Sequence, residues 1–168
     1  MEKVIMVIGK VGAGKTTYAQ KTSIEQPAFL FSVDEWMANL FLMEKTKAID
    51  YPWALERTHR IEDQMLAQLK QCKRLKQSAI LDLGFFEKDH RIRVSQKAQE
   101  LDFEVEYHYL DVPEETRWAR VEQRNKEKGE TFSLNVDRGM FDFCEGLFQV
   151  PREAEVNGCN LIIFDFRA

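Results

Sequence analysis

The sequence predicts an α/β fold in three layers, with a five-stranded, mostly parallel sheet covered by helices on both faces. Three observations carry this. Short apolar runs alternate along the chain with segments of helical periodicity, an order that implies parallel pairing. The apolar runs are nearly continuous, as strands buried on both faces should be. The first of them, "VIMVI", runs straight into a glycine-rich loop and then a helix.

The elements follow in order. Val4–Ile8 reads as a buried strand and Thr16–Ile24 as a helix. Ala28–Val33 is a second strand. Asp34–Lys45 is a helix, with Asp34 placed to cap it. Trp53–Leu75 is a long helix, because Leu55, Ile61, Met65, Leu66 and Leu69 recur near helical spacing. Ala79–Leu83 is a third strand, Glu87–Leu101 a helix and Phe103–Leu110 a fourth strand. Glu114–Glu127 is a helix that runs into the charged "RNKEKGE". Val136–Phe148 is another helix, and Leu161–Phe166 a fifth strand. No repeat or linker interrupts this order, so residues 1–168 read as one domain. Ligands of such sheets bind beyond the carboxyl ends of the strands. That rule selects Gly9–Thr17, Asp34, Asp82–Phe86 and Asp111.

Composition excludes several classes. The 168 residues carry a net charge of −4, which argues against an extended nucleic-acid-binding surface. No stretch approaches the roughly 20 apolar residues of a membrane span, and the amino-terminal apolar run is too short for a signal peptide. A cytoplasmic setting and no membrane partner are expected. Cys72, Cys144 and Cys159 are odd in number and far apart, so reduced thiols are expected and no zinc or disulfide framework is.

Gly9-Lys10-Val11-Gly12-Ala13-Gly14-Lys15-Thr16 fits G-x-x-x-x-G-K-[ST] without a mismatch, between a strand and a helix. A loop that wraps a phosphate must turn successive backbone N–H groups inward, with Gly9, Gly12, Ala13 and Gly14 bringing the backbone close. The helix start adds its positive end, Lys15 neutralises phosphate charge, and Thr16, followed by Thr17, offers a hydroxyl to Mg²⁺. ATP and Mg²⁺ are the expected ligands. A GTPase should carry N-K-x-D, but Asn125-Lys126-Glu127-Lys128 fails it and no D-x-x-G occurs. An LSGGQ-like transporter signature is absent, and a ring-forming mechanical ATPase usually needs a longer chain. A small kinase or a nucleotide-dependent binding module with slow hydrolysis remains.

From Val4 to about Asn125 the chain resembles the small P-loop kinases, in the branch of polynucleotide 5′-kinases, chloramphenicol phosphotransferase and zeta toxins. The resemblance rests on "GKVGAGKT", "FSVDEW", "AILDLGFFEKDHRIRV" and "YLDVPEETRWARVEQRN". It implies strand order 2-3-1-4-5 and transfer of the ATP γ-phosphoryl to a hydroxyl of a small molecule or nucleic-acid end. It places Asp34 at the acceptor hydroxyl, as the carboxylate that orients it and takes its proton. Capping the following helix is the plainer role for Asp34, and the two are compatible. Glu35 is a weaker substitute. Asp82 takes the Walker B position with Thr16 at the metal, against the alternative of a buried Asp satisfied by backbone N–H groups. Asp111 reads as a cap, with Pro113 in the next helix's first turn.

Arg120 and Arg124 share a helix face and resemble the R-x-x-x-R that opens the lid of small kinases. By that likeness Arg120 lies against the adenine and Arg124 reaches the transferring phosphate, while "KEKGE" begins a lid around 125–132. A solvated face paired with Glu114, Glu115 and Glu122 is the alternative, and Arg117 shares this helix. The region around 36–60, with Trp36, Phe41, Tyr51, Trp53, His59 and Arg60, occupies the place where small kinases cover their acceptor. With Phe85, Phe86, His90, Arg91 and Arg93 it predicts an aromatic pocket with few fixed charges, unless these aromatics are core. Arg91 either binds an acceptor phosphate or faces solvent. His59, His90 and His108 carry no assigned role.

Overall fold

The structure, a computed structural model, describes residues 1–42, 51–129, 135–155 and 158–166. Five strands form one sheet in the order β2-β3-β1-β4-β5. They are β1 (Lys3–Ile8), β2 (Ala28–Ser32), β3 (Ser78–Asp82), β4 (Glu104–Asp111) and β5 (Cys159–Asp165), and every pairing is parallel. The helices are α1 (Lys15–Glu25), α2 (Val33–Met37), α3 (Tyr51–Arg74), α4 (Lys88–Glu100), α5 (Glu114–Glu127) and α6 (Arg138–Leu147).

β1 explains the layering. Val4, Met6 and Ile8 point to one face, where Ile61, Met65 and Leu69 of α3 and Val94 and Ala98 of α4 cover them. Ile5 and Val7 point to the other, against Ala19 and Tyr18 of α1. The two-residue period of a strand thus feeds two cores at once. No residue from Val4 to Ile8 exceeds 1% exposure, which is why the strand is apolar throughout. A third cluster of Val121, Val136 and Phe141 joins α5 to α6.

Several elements differ from expectation. The helix expected at Asp34–Lys45 begins at Val33 and passes at Ala38 into a π-helical turn ending at Leu42. Its end at Lys45 lies outside the described residues. Asp34 is not its cap: Ser32 is, with its hydroxyl accepting from the Glu35 N–H at 3.5 Å. Asp34 is thereby released from the helix end into the first turn. Asp111 does not cap α5 either, because Pro113 occupies the cap and Asp111 ends β4, accepting from the Tyr109 hydroxyl at 3.3 Å. β5 starts two residues earlier than expected. No helix among the described residues is long and apolar enough to cross a membrane.

Candidate active site

The four strands β1 to β4 end on one side of the sheet, and a cleft of about 1260 Å³ opens there. Its donor end is the loop between β1 and α1. Gly12 and Gly14 sit at φ +78° and +89°, in the left-handed region that side chains resist. Gly12 also has α5 against it: a Cβ there would lie 2.4 Å from the Arg117 carbonyl oxygen. Ala13 is buried and its N–H bonds the Lys10 carbonyl at 3.1 Å, closing the loop. At Gly9 an added Cβ would stand 3.1 Å from the Ala13 Cβ and 3.3 Å from the Leu110 carbonyl oxygen. Thr17 faces the cleft from the first turn of α1.

Strand register brings the next residues in. β3 runs beside β1, so Asp82 at its carboxyl end lies beside the loop, and Thr16 Oγ1 donates to Asp82 Oδ2 at 2.8 Å. Asp82 is buried, which pushes its carboxyl above the usual carboxylate range, while Lys15 and the Thr16 hydrogen bond pull it back. The Lys15 ammonium donates to the Lys10 carbonyl at 3.1 Å and lies 5.7 Å from the Phe86 ring centroid. Burial lowers its pKa, and the opposing pull of Asp82 and Asp34 does not restore it. Ser32 pairs with Asp82 in register, so Asp34, two residues on, is exposed on the same cleft. Two hard oxygen donors beside the phosphate loop, one of them a buried carboxylate, suit Mg²⁺, which takes the rest of its shell from phosphate and water.

The three arginines of α5 separate in role. Arg120 is exposed, and its Nη1 donates to the Ala13 carbonyl at 3.3 Å, reaching over the loop. Arg124 lines the cleft with a buried Nε that meets no hydrogen-bond partner among the described residues. An orphaned guanidinium N–H beside a phosphate loop suits an anion. Arg117 is structural. It is buried and donates to the Val112 and Val11 carbonyls at 2.9 and 3.2 Å and to both Glu145 oxygens at 2.5 and 3.0 Å. Glu145 of α6 also holds Lys10 of the loop at 2.9 Å. Sequence reasoning missed this clamp, because nothing local marks Glu145 as the partner of residues far earlier in the chain.

The acceptor end departs from the expected pocket. Phe85 is core and Phe86 lines the cleft. Arg91 neither faces solvent nor reaches the cleft: it is fully buried, pairs with both Glu155 oxygens at 2.8 and 2.6 Å and donates to the Phe85 and Phe86 carbonyls. Nor are fixed charges few. Asp34, Glu35, Asp89 and Arg93 line the cleft with His59 and His90. Of the expected covering region, residues 43–50 lie outside the described residues, as do residues 130–134 of the expected lid. The two sides of that lid are tied by Asn125, which donates to the Val136 carbonyl at 2.7 Å and accepts from its N–H at 3.2 Å.

Residues 4–142 match the AAA domain family. The chain belongs to it. This P-loop kinase-like family assignment agrees with the fold of solved structures. A candidate kinase of Chloroflexus aurantiacus j-10-fl superposes with a TM-score of 0.75 at 16% identity, covering 98% of this chain and 89% of its own. A sugar kinase of Janibacter sp. HTCC2649 gives 0.68 at 15% identity, covering 100% and 87%. Kti12 of Chaetomium thermophilum, solved in complex with ADP-AlF3, gives 0.61 at 18% identity, covering 96% and 89%. At these identities the likeness is one of fold. No curated protein matches the sequence.

Proposed function

We infer that this member of the AAA domain family is a phosphotransferase that moves the ATP γ-phosphoryl to a hydroxyl of a second substrate. One observation carries the reading: the phosphate loop and the exposed Asp34 carboxylate open onto a single cleft of about 1260 Å³. One ligand commonly fills about 300–1,000 Å³, so this cleft has room for a donor and an acceptor together.

The chain's residues divide the work. The N–H groups of the Gly9–Thr17 loop and the start of α1 bind the phosphates. Lys15, Arg120 and Arg124 stabilise charge on the moving group, and Arg120, which reaches over the loop, also covers the base. Thr16 and Asp82 would hold Mg²⁺, which supplies further charge neutralisation at the phosphate oxygens. Asp34 orients the acceptor hydroxyl and takes its proton as the oxygen attacks. A phosphate beside Lys15 also favours its charged form, against the burial that lowers its pKa.

The test is acceptor-stimulated ADP release across nucleosides, sugars, antibiotics and RNA ends, followed by Asp34→Asn. Stimulation in the parent, lost in the variant with ATP affinity kept within about threefold, is the expected result. Unstimulated ADP release with every acceptor, or full turnover by Asp34→Asn, would sink the reading in favour of a nucleotide-dependent binding protein with slow hydrolysis.

A further inference from the structure

The acceptor end contains a built cluster outside the donor machinery. Glu62 of α3 is 2% exposed, yet it stands at the cleft wall. Its Oε1 meets Arg93 Nη2 at 2.5 Å and its Oε2 meets His90 Nε2, both partners coming from α4. Burial alone would raise the Glu62 carboxyl, but His90 and Arg93 more than offset it and leave it below the usual range. A buried carboxylate bonded to both a guanidinium and an imidazole fixes their orientation. Here both partners are cleft-lining: the Arg93 side chain keeps 43% of its surface and His90 20%. Glu62 holds one corner of the Arg93 fork, and Arg93 has five N–H donors in all.

Resting on the phosphotransferase reading, we propose that Glu62, His90 and Arg93 form the subsite that takes an uncharged, hydroxyl-rich acceptor of sugar or cyclitol type. The charge pattern decides the class. An anionic acceptor would face the carboxylates of Asp34, Glu35, Glu87 and Asp89 on the same cleft. A cationic acceptor would face the guanidinium. A hydroxyl is satisfied by both, since it accepts from Arg93 and donates to a carboxylate. Phe86 and Tyr51 add apolar faces to the lining. Arg93 and His90 bind the acceptor, and Glu62 is a positioning residue.

The experiment measures ADP release with D-glucose, myo-inositol, adenosine 5′-monophosphate and a 5′-hydroxyl oligoribonucleotide as probes. A neutral polyol should accelerate release and the two phosphate-bearing probes should not. Arg93→Gln, at the surface, should raise the KM for the active polyol about tenfold while the KM for ATP stays within about twofold. Glu62→Gln should do the same more mildly, and Arg93→Lys should recover part of the loss. Acceleration by a phosphate-bearing probe alone, or an unchanged polyol KM in Arg93→Gln, overturns this subsite and leaves the phosphotransferase reading standing. Failure of every probe here and of every acceptor in the wider panel removes both.

Discussion

Replacing Gly12 by alanine tests whether the phosphate loop is held in shape by its contact with α5. The residue lies at φ +78°, where an L side chain costs roughly 1–2 kcal/mol. The new methyl would also stand 2.4 Å from the Arg117 carbonyl oxygen, against 3.4 Å for ordinary contact. Loop and helix must therefore separate by about 1 Å. The obstacle is backbone, and Arg117 is pinned by Glu145 and two carbonyls, so the loop is the part that yields. A displacement of about 1 Å in a site that grips phosphate by several N–H groups should weaken ATP binding on the order of 100-fold. Titration calorimetry with ATP measures this, and circular dichroism checks that the fold survives. Gly146→Ala is the control: it lies in α6 with nothing within 4 Å, and alanine there should stabilise by about 0.5–1 kcal/mol. Parent-like ATP affinity in Gly12→Ala would refute the reasoning.

Lys15→Ala should weaken ATP binding at least tenfold whichever reaction follows, read by the same titration. Glu145→Ala leaves Arg117 buried without its carboxylate and frees Lys10. It should cost about 3 kcal/mol in denaturant unfolding, the lower end for a broken buried pair because Glu145 keeps 18% of its side-chain surface. His108, between Tyr18 and Glu106, predicts a pH effect. Burial sets its pKa below the ordinary 6.5 despite the pull of Glu106, so the unfolded chain takes up the proton first as pH falls. Its contribution is complete above about pH 6.5 and is lost as pH drops through the folded-state value. Melting temperatures between pH 7.5 and 5.5 should fall less steeply in His108→Asn than in the parent.

What the sequence disclosed about the site came from residues whose roles are local. The loop needs glycines at fixed offsets between a strand and a helix, so Gly9–Thr16 was readable without any tertiary contact. Asp82 stood out because a carboxylate in an apolar strand requires a partner. β1 and β3 were readable for the same reason: burial on both faces leaves a nearly unbroken apolar run. Arg91 and Arg93 mark the limit. They are two residues apart on α4 and chemically identical, yet Arg91 turns inward to Glu155 and Arg93 outward to Glu62. Helical geometry sends neighbours two apart to different faces. Which face meets the core depends on the crossing of α3 and the path of the chain near Glu155, neither of which is a local property. Asp34 and Ser32 repeat the lesson at shorter range. Both residue types cap helices, and a shift of two residues decides which one is left over for chemistry. The acceptor end was misjudged for this reason. Its charges come from α2, α3 and α4, and only the parallel order β2-β3-β1 sets those elements around one cleft. A subsite assembled from three elements is specified by packing, so substitutions in the strands between them, far from any ligand, should alter acceptor KM through the spacing of Asp34 and Arg93. Leu81→Ala is the sharpest case, since Leu81 sits fully buried in β3, between Phe31 of β2 and Met6 of β1, on the face that α3 and α4 cover. Loss of its side chain should cost about 2–5 kcal/mol in stability. It should also raise the acceptor KM more than the KM for ATP, because the phosphate loop is held independently by Arg117 and Glu145. Equal changes in the two constants would show that the loop and the acceptor wall move as one body.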